Sequence, residues 1–175
     1  MTKQEMEYCV HTYGKDIYSF CRYLTCSKQE ADDLYQDTFL TAIEQMERID
    51  YMSNPKSYFL SIALRIWKNK KRKYAWRKRI SEMRLFVDEK NDALIQEENE
   101  SPETRLLQKE ENESVRLAVN RLSDKHKLVV LLFYMEDLST SQIAEILNIP
   151  QGTVLSRLHQ ARKRLQHDLE ELLHE

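Results

Sequence analysis

Between Arg65 and Arg79 the chain sets Arg65, Lys68, Lys70, Lys71, Arg72, Lys73, Arg77, Lys78 and Arg79 around Trp67, Tyr74 and Trp76, with no acid among them. Lysine and arginine neutralise phosphates whatever the base sequence, and aromatic faces stack on unpaired bases at ~1–3 kcal/mol each. That combination suits a protein that meets DNA as it opens; its alternative is a solvated helix end with the aromatics, Trp67 above all, tucked into a core. A second group lies toward the carboxyl end. Val154, Leu158, Ala161 and Leu165 form an apolar stripe at helical spacing. Gly152, Thr153, Ser156, Arg157, His159, Gln160 and Lys163 fall beside or opposite it. A helix with such a face fits the major groove, where Arg157 or Lys163 would read guanine, Gln160 adenine, and Leu155 a thymine methyl. The plainer alternative is a helical hairpin whose outer face is only wet.

Catalytic chemistry finds less support. His11, His126, His159, His167 and His174 have no paired nucleophile and no metal-ligand spacing, and no phosphate-binding glycine loop exists. They read as isolated surface or cap histidines, so neither an enzyme, a cofactor nor a metal is expected. Cys9, Cys21 and Cys26 match no common disulfide or zinc framework and read as thiols in or near a core. No apolar run is long enough for a membrane span, and no signal-peptide core is present, so a cytoplasmic protein without membrane insertion of its own is expected.

The elements that must carry these groups are helices. Only Gly14, Gly152, Pro55, Pro102 and Pro150 punctuate 175 residues, too few turn formers for a many-stranded β fold. Tyr13, Ile17, Phe20, Cys21 and Leu24 form one stripe. Ser27 then caps a helix facing inward through Ala31, Leu34, Thr38, Ala42 and Met46, with Tyr35, Phe39 and Ile43 widening it. Its other face carries Asp33, Gln36, Asp37 and Leu40, and an apolar residue among polar ones hints at a protein partner. Pro55, capped by Ser53 or Asn54, opens a third helix that buries Phe59, Ile62, Ala63 and Ile66 and runs into the basic stretch.

Net charge is only −2, but it is the average of a basic, an acidic and a second basic block. The acidic, polar segment from Asn91 to Ser101 reads as a linker. Ser101-Pro102-Glu103 restarts a helix facing inward through Leu107, Val115, Ala118 and Leu122, and Leu128 to Tyr134 is apolar enough to be central. Ser139-Thr140-Ser141-Gln142 is a capping box opening a short helix with Ile143, Ala144 and Leu147 inside. Asn148-Ile149-Pro150 turns the chain, with Asn148 suited to the left-handed region, and the next helix starts near Gly152. Short helix, tight turn and amphipathic helix make a helix-turn-helix. The fold expected is all-α: two small helical domains, residues 1–82 and 103–175, joined by a flexible acidic linker at 83–102.

Taken together, Glu30-Ala-Asp-Asp-Leu-Tyr-Gln-Asp-Thr-Phe-Leu, Asn54-Pro-Lys-Ser-Tyr-Phe-Leu-Ser-Ile-Ala with Lys70-Lys-Arg-Lys, and Gly152-Thr-Val-Leu-Ser-Arg-Leu-His-Gln-Ala-Arg resemble the extracytoplasmic-function sigma factors of bacterial RNA polymerase. The resemblance implies that Asp33, Gln36, Asp37 and Leu40 contact the β′ clamp helices of the polymerase core. It implies that the Ile49 to Asn54 loop with Arg65, Lys68, Asn69, Lys70, Arg72, Lys73 and Trp76 handles the −10 strand. It places the second domain near the β flap, with Gly152 to Lys163 in the −35 major groove, and it implies an anti-sigma factor. The family often carries a basic residue at the position of Leu155 and arginine at that of Gln160, and Arg65 and Asn69 replace its frequent Asn and Asp, so promoter sequence does not carry over from relatives. The competing class is a free-standing helix-turn-helix regulator that binds duplex DNA without polymerase. It would need a ligand or phosphate-receiving domain, or a dimer seam, and the first domain shows neither α/β patterning nor heptads. A further expectation is that Glu97, Glu98 and Glu100 screen the basic stretch in the free protein.

Overall fold

A computed structural model describes residues 1–25, 27–48, 54–82 and 114–174, and within these every regular element is helical. The expected linker, with Glu97, Glu98 and Glu100, the restart at Ser101-Pro102-Glu103, Leu107, Cys26 and the loop residues 49–53 lie outside the described residues. Contacts divide the chain into two units, Met1–Ile95 and Gln96–Glu175.

The first unit packs three helices against one another, α1 (Lys3–Leu24), α2 (Lys28–Glu44) and α3 (Pro55–Glu82). Thr2 opens α1 with a capping box, its backbone N–H donating to Glu5 Oε2 at 2.7 Å. Cys9, Ile17, Phe20, Cys21 and Leu24 are buried along the helix. Neither Cys9 nor Cys21 is in a disulfide, and burial, with Glu5 nearby, pushes the Cys9 thiol pKa up. Thr25 ends α1, and Ser27 starts α2 by accepting the Glu30 N–H at 3.1 Å. The helices are joined by an aromatic row: Tyr18 to Tyr35, Tyr35 to Phe39 and Phe39 to Phe59, with ring centroids 5.5, 4.9 and 5.4 Å apart. Gly14 lies where α2 comes closest, since a Cβ there would stand 2.9 Å from Tyr35 Oη. Of the two residues expected to cap α3, Ser53 lies outside the described residues, and Asn54 takes the Ser57 N–H at 3.0 Å.

Two expected core positions differ. Ile43 stands 52% exposed, because it lies one residue past buried Ala42 and is rotated about 100° from it. On α3, Leu60 and Leu64 are buried as well as Phe59 and Ala63. They turn the inward direction toward Trp67, which is 8% exposed, and leave Ile66 at the margin.

The second unit starts in the described residues with a helix at 114–121, here α4. It is followed by α5 (Asp124–Val130), a π-helical turn (Leu131–Met135), α6 (Thr140–Leu147) and α7 (Gln151–His174). Ala118, Val119 and Leu122 face inward, whereas Val115 is 48% exposed. The apolar run continues through α5 into the π-helical turn, which the Glu136 N–H closes on Leu131 O at 3.2 Å. Tyr134 is exposed rather than central. Ser139 and Gln142 form the expected capping box on α6. Asn148 takes φ 53° and ψ 54°, and the Ile149 N–H reaches Ala144 O at 3.0 Å, a left-handed helix stop of the kind asparagine tolerates. Gln151 Nε2 donates to Thr140 Oγ1 at 2.8 Å, fastening the start of α7 to the start of α6. Val154, Leu158 and Ala161 are buried, and Asp168 continues their stripe, fully buried beside Arg164.

Candidate nucleic-acid interfaces

Past Trp67, α3 leaves its core and every described side chain from Lys68 to Arg79 is exposed. Twelve such residues extend ~18 Å at helical rise. Like charges repel along this stretch, and the negative end of the helix dipole offsets part of that cost. Arg65, Lys68, Asn69, Arg72 and Trp76 recur at three and four residues and share one side; Lys70 and Lys73 lie around the axis from them. The aromatic residues separate by role. Trp67 closes the core with Lys71 Nζ 4.9 Å above its ring, while Tyr74 and Trp76 stand in solvent, Trp76 at 64%. Arg72 Nη2 donates to Asn69 Oδ1 at 3.3 Å, so that amide presents its donors outward. Of the −10 loop expected from sequence, only Asn54 is described, and it is the helix cap.

On α2, Asp33, Gln36 and Leu40 are exposed and Asp37 is half-exposed, all on the side away from Ala31 and Leu34. Leu40 is 60% exposed, and Ile43, expected in the core, adds a second open apolar side chain near it. Two exposed aliphatic side chains bordered by acids suit a protein contact better than solvent. Asp37 also pairs with Lys70 of α3, Oδ2 to Nζ at 2.7 Å, so an ion pair links α2 to the basic stretch.

On α7, Gly152, Ser156, His159, Gln160 and Lys163 are exposed opposite the buried stripe, and Thr153 and Arg157 border it half-buried. Leu155 is open beside them. The Gly152 Cβ position meets nothing within 4 Å, so no packing demands glycine there and the first turn lies open to a close approach. Arg162 is taken up inside the unit: its Nε donates to Tyr134 Oη at 2.6 Å, and the guanidinium lies over Phe133 and Tyr134. It anchors α7 to the π-helical turn.

The histidines are less isolated than their spacing suggested. His126 Nε2 lies 3.0 Å from Gln160 Oε1, across 34 residues of sequence. His167 Nδ1 lies 3.5 Å from Glu171 and 3.8 Å from Asp168. This trio is the group among the described residues whose atoms could converge on a cation, although Asp168 already holds Arg164 Nε at 3.1 Å. Sequence reading missed His126 because a contact between α5 and α7 leaves no local pattern. It missed Ile43 because a wide apolar stripe hides which edge is open.

Comparison with known proteins covers both units. Residues 9–77 match the family model for sigma-70 region 2, and residues 112–165 match that for sigma-70 region 4. The chain is 29% identical to the ECF RNA polymerase sigma factor SigW of Bacillus subtilis over 170 residues, 93% of this chain and 88% of the relative. It is also 29% identical to the ECF RNA polymerase sigma factor SigL of Mycobacterium tuberculosis over 164 residues, 89% and 84% of the two chains. Among solved structures, the sigma factor RpoE from Bartonella quintana, crystallised with the anti-sigma factor NepR, is similar in fold with a TM-score of 0.74. The identity there is 22%, over 97% of this chain and 98% of that one. CnrH in complex with the cytosolic domain of CnrY gives 0.68 at 17% identity, over 97% and 90%.

Proposed function

We propose that this chain, which belongs to the sigma-70 family in its extracytoplasmic-function form, selects promoters through three separate helix faces. The α2 face of Asp33, Gln36, Asp37, Leu40 and Ile43 docks on the β′ clamp helices of core RNA polymerase. The basic end of α3, with Trp76 as its stacking residue, engages the −10 strand as it opens, and the outward face of α7 reads the −35 element, its unit seated near the β flap. The chain is a binding subunit in this scheme, and the polymerase performs the chemistry. The observation that carries it is the order of surfaces: a helix face with open Leu40, a solvent-exposed basic helix end and a capped helix-turn-helix fall within the matched region 2 and region 4 segments.

Each face does a distinct physical job. Phosphate contacts from α3 supply affinity that falls steeply with salt, while side chains of α7 supply discrimination among base edges. A free-standing regulator would have to bind duplex DNA unaided, and the α2 face gives such a protein nothing to do. The similar sigma factor crystallised with the anti-sigma factor NepR supports an anti-sigma partner for this chain as well. No helix among the described residues is long and apolar enough to cross a membrane, which suits work alongside polymerase in the cytoplasm.

The α2 assignment is tested by binding to bacterial core polymerase. Asp37→Asn with Leu40→Glu is expected to weaken core binding at least about tenfold, as loss of a buried hot spot does. The Asp37 to Lys70 pair is half-exposed on both sides and contributes only ~0–1 kcal/mol, so thermal stability should barely move. Core binding equal to that of the unaltered protein would remove α2 from the interface.

A further inference from the structure

Asp37 lies in the middle of the α2 face assigned to core polymerase, between Asp33 and the open Leu40. Its carboxylate is already engaged. Lys70 of α3 reaches across and places Nζ 2.7 Å from Oδ2, with the lysine side chain 49% exposed and the aspartate 46%. The same lysine belongs to the basic stretch, where Lys70, Lys73 and Arg77 recur at three and four residues and form an exposed row. That row borders the side that carries Trp76. One ion pair therefore commits a cation of the DNA-facing helix to an anion of the polymerase-facing one.

Docking changes the balance at this pair. Leu40 stands three residues beyond Asp37 on the same side of α2, so a partner that covers Leu40 also covers Asp37. Covering strips water from the carboxylate, and a carboxylate so enclosed requires a cation held in good geometry. A polymerase surface that supplies this cation competes directly with Lys70. The existing pair is weak enough to yield, since half-exposed pairs contribute little and the lysine stem turns freely. On the assignment of α2 to the clamp, on which this rests, we infer that the Asp37–Lys70 pair couples the two interfaces: in the free protein Asp37 withholds Lys70 from DNA, and polymerase docking releases it to a backbone phosphate. The coupling is reciprocal, because the factor by which docking favours DNA is the factor by which DNA favours docking. It is limited to the worth of the pair, at most roughly fivefold for side chains this exposed. The result is an order of events, polymerase first and DNA second.

The test uses the full-length protein carrying Asp37→Asn, Lys70→Met or both. Two affinities are measured for each: that of the free protein for a short fluorescent single-stranded oligothymidylate across a salt series, and that for bacterial core polymerase. Asp37→Asn should weaken core binding but tighten the free protein's hold on the oligonucleotide by roughly two- to fivefold. The slope of log affinity against log salt should steepen by about 0.7, the increment for one more phosphate contact on a single strand. Both gains should vanish when Lys70→Met is also present, because the released group is then missing. Lys70→Met alone should tighten core binding by a similar factor, since Asp37 then meets the clamp without a competitor. A gain from Asp37→Asn that is the same with and without Lys70 would reduce the effect to the loss of one negative charge and overturn the inference. Core affinity that Lys70→Met leaves unchanged or weakens would overturn it equally. Core binding indifferent to Asp37→Asn is a different failure, because it overturns the assignment of α2 itself.

Discussion

Trp67 and Trp76 belong to the same helix and the same basic stretch, yet burial separates them completely. Trp67 closes the core of the first unit, so Trp67→Ala should destabilise by about 3–5 kcal/mol, read from a denaturant midpoint. Trp76→Ala should leave stability within about 0.5 kcal/mol, as surface changes do. Its effect is expected in promoter opening, measured as loss of permanganate reactivity at −10 thymines in the holoenzyme complex. Full opening with Trp76→Ala would take Trp76 out of the −10 contact. Residue types and spacing made both tryptophans visible as candidates, but not their roles. The inward direction of α3 depends on Leu60 and Leu64, whose burial is a property of the packed unit. The same limit hid the tie between Asp37 and Lys70, since an ion pair between two helices has no sequence period.

Helix boundaries were the most legible feature, because capping is local chemistry. Ser27, Ser139 with Gln142, and Asn148 each do what their positions suggested. Thr2-Lys3-Gln4-Glu5 carries the same capping signature and also forms a box, so the first helix begins earlier than its apolar stripe indicates. Ser139→Ala removes the cap that starts α6 and should cost ~0.5–2 kcal/mol, measured by thermal unfolding. Because Gln151 fastens α7 to Thr140 at that same end, the variant should also lower −35 discrimination while core binding is retained. Unchanged discrimination in a measurably destabilised variant would show that α6 is not what holds the reading helix. The π-helical turn at Leu131–Met135 was not legible, since a continuous apolar run fits a straight buried helix equally well. It matters to the site because it presents Tyr134 to Arg162 and so helps fix α7.

At the scale of the molecule, the all-helical class and the presence of two units could be read from composition, charge blocks and helical periodicity. Placement of the individual groups could not. Ile43 joined the open α2 face, and Gln160 proved to be held by a histidine far away in sequence. Each of these differences comes from packing between helices, where a side chain's neighbours are set by the unit rather than by its own segment. The division of labour gives the central claim a direct test: run-off transcription from fragmented host DNA by core polymerase, with and without the protein. Discrete start sites should appear only when the protein is added, and should vanish when Asp37 and Leu40 are changed together. A competent core from the same host that gains no new starts, while the protein alone footprints duplex DNA, would contradict the claim and leave a polymerase-independent regulator in its place.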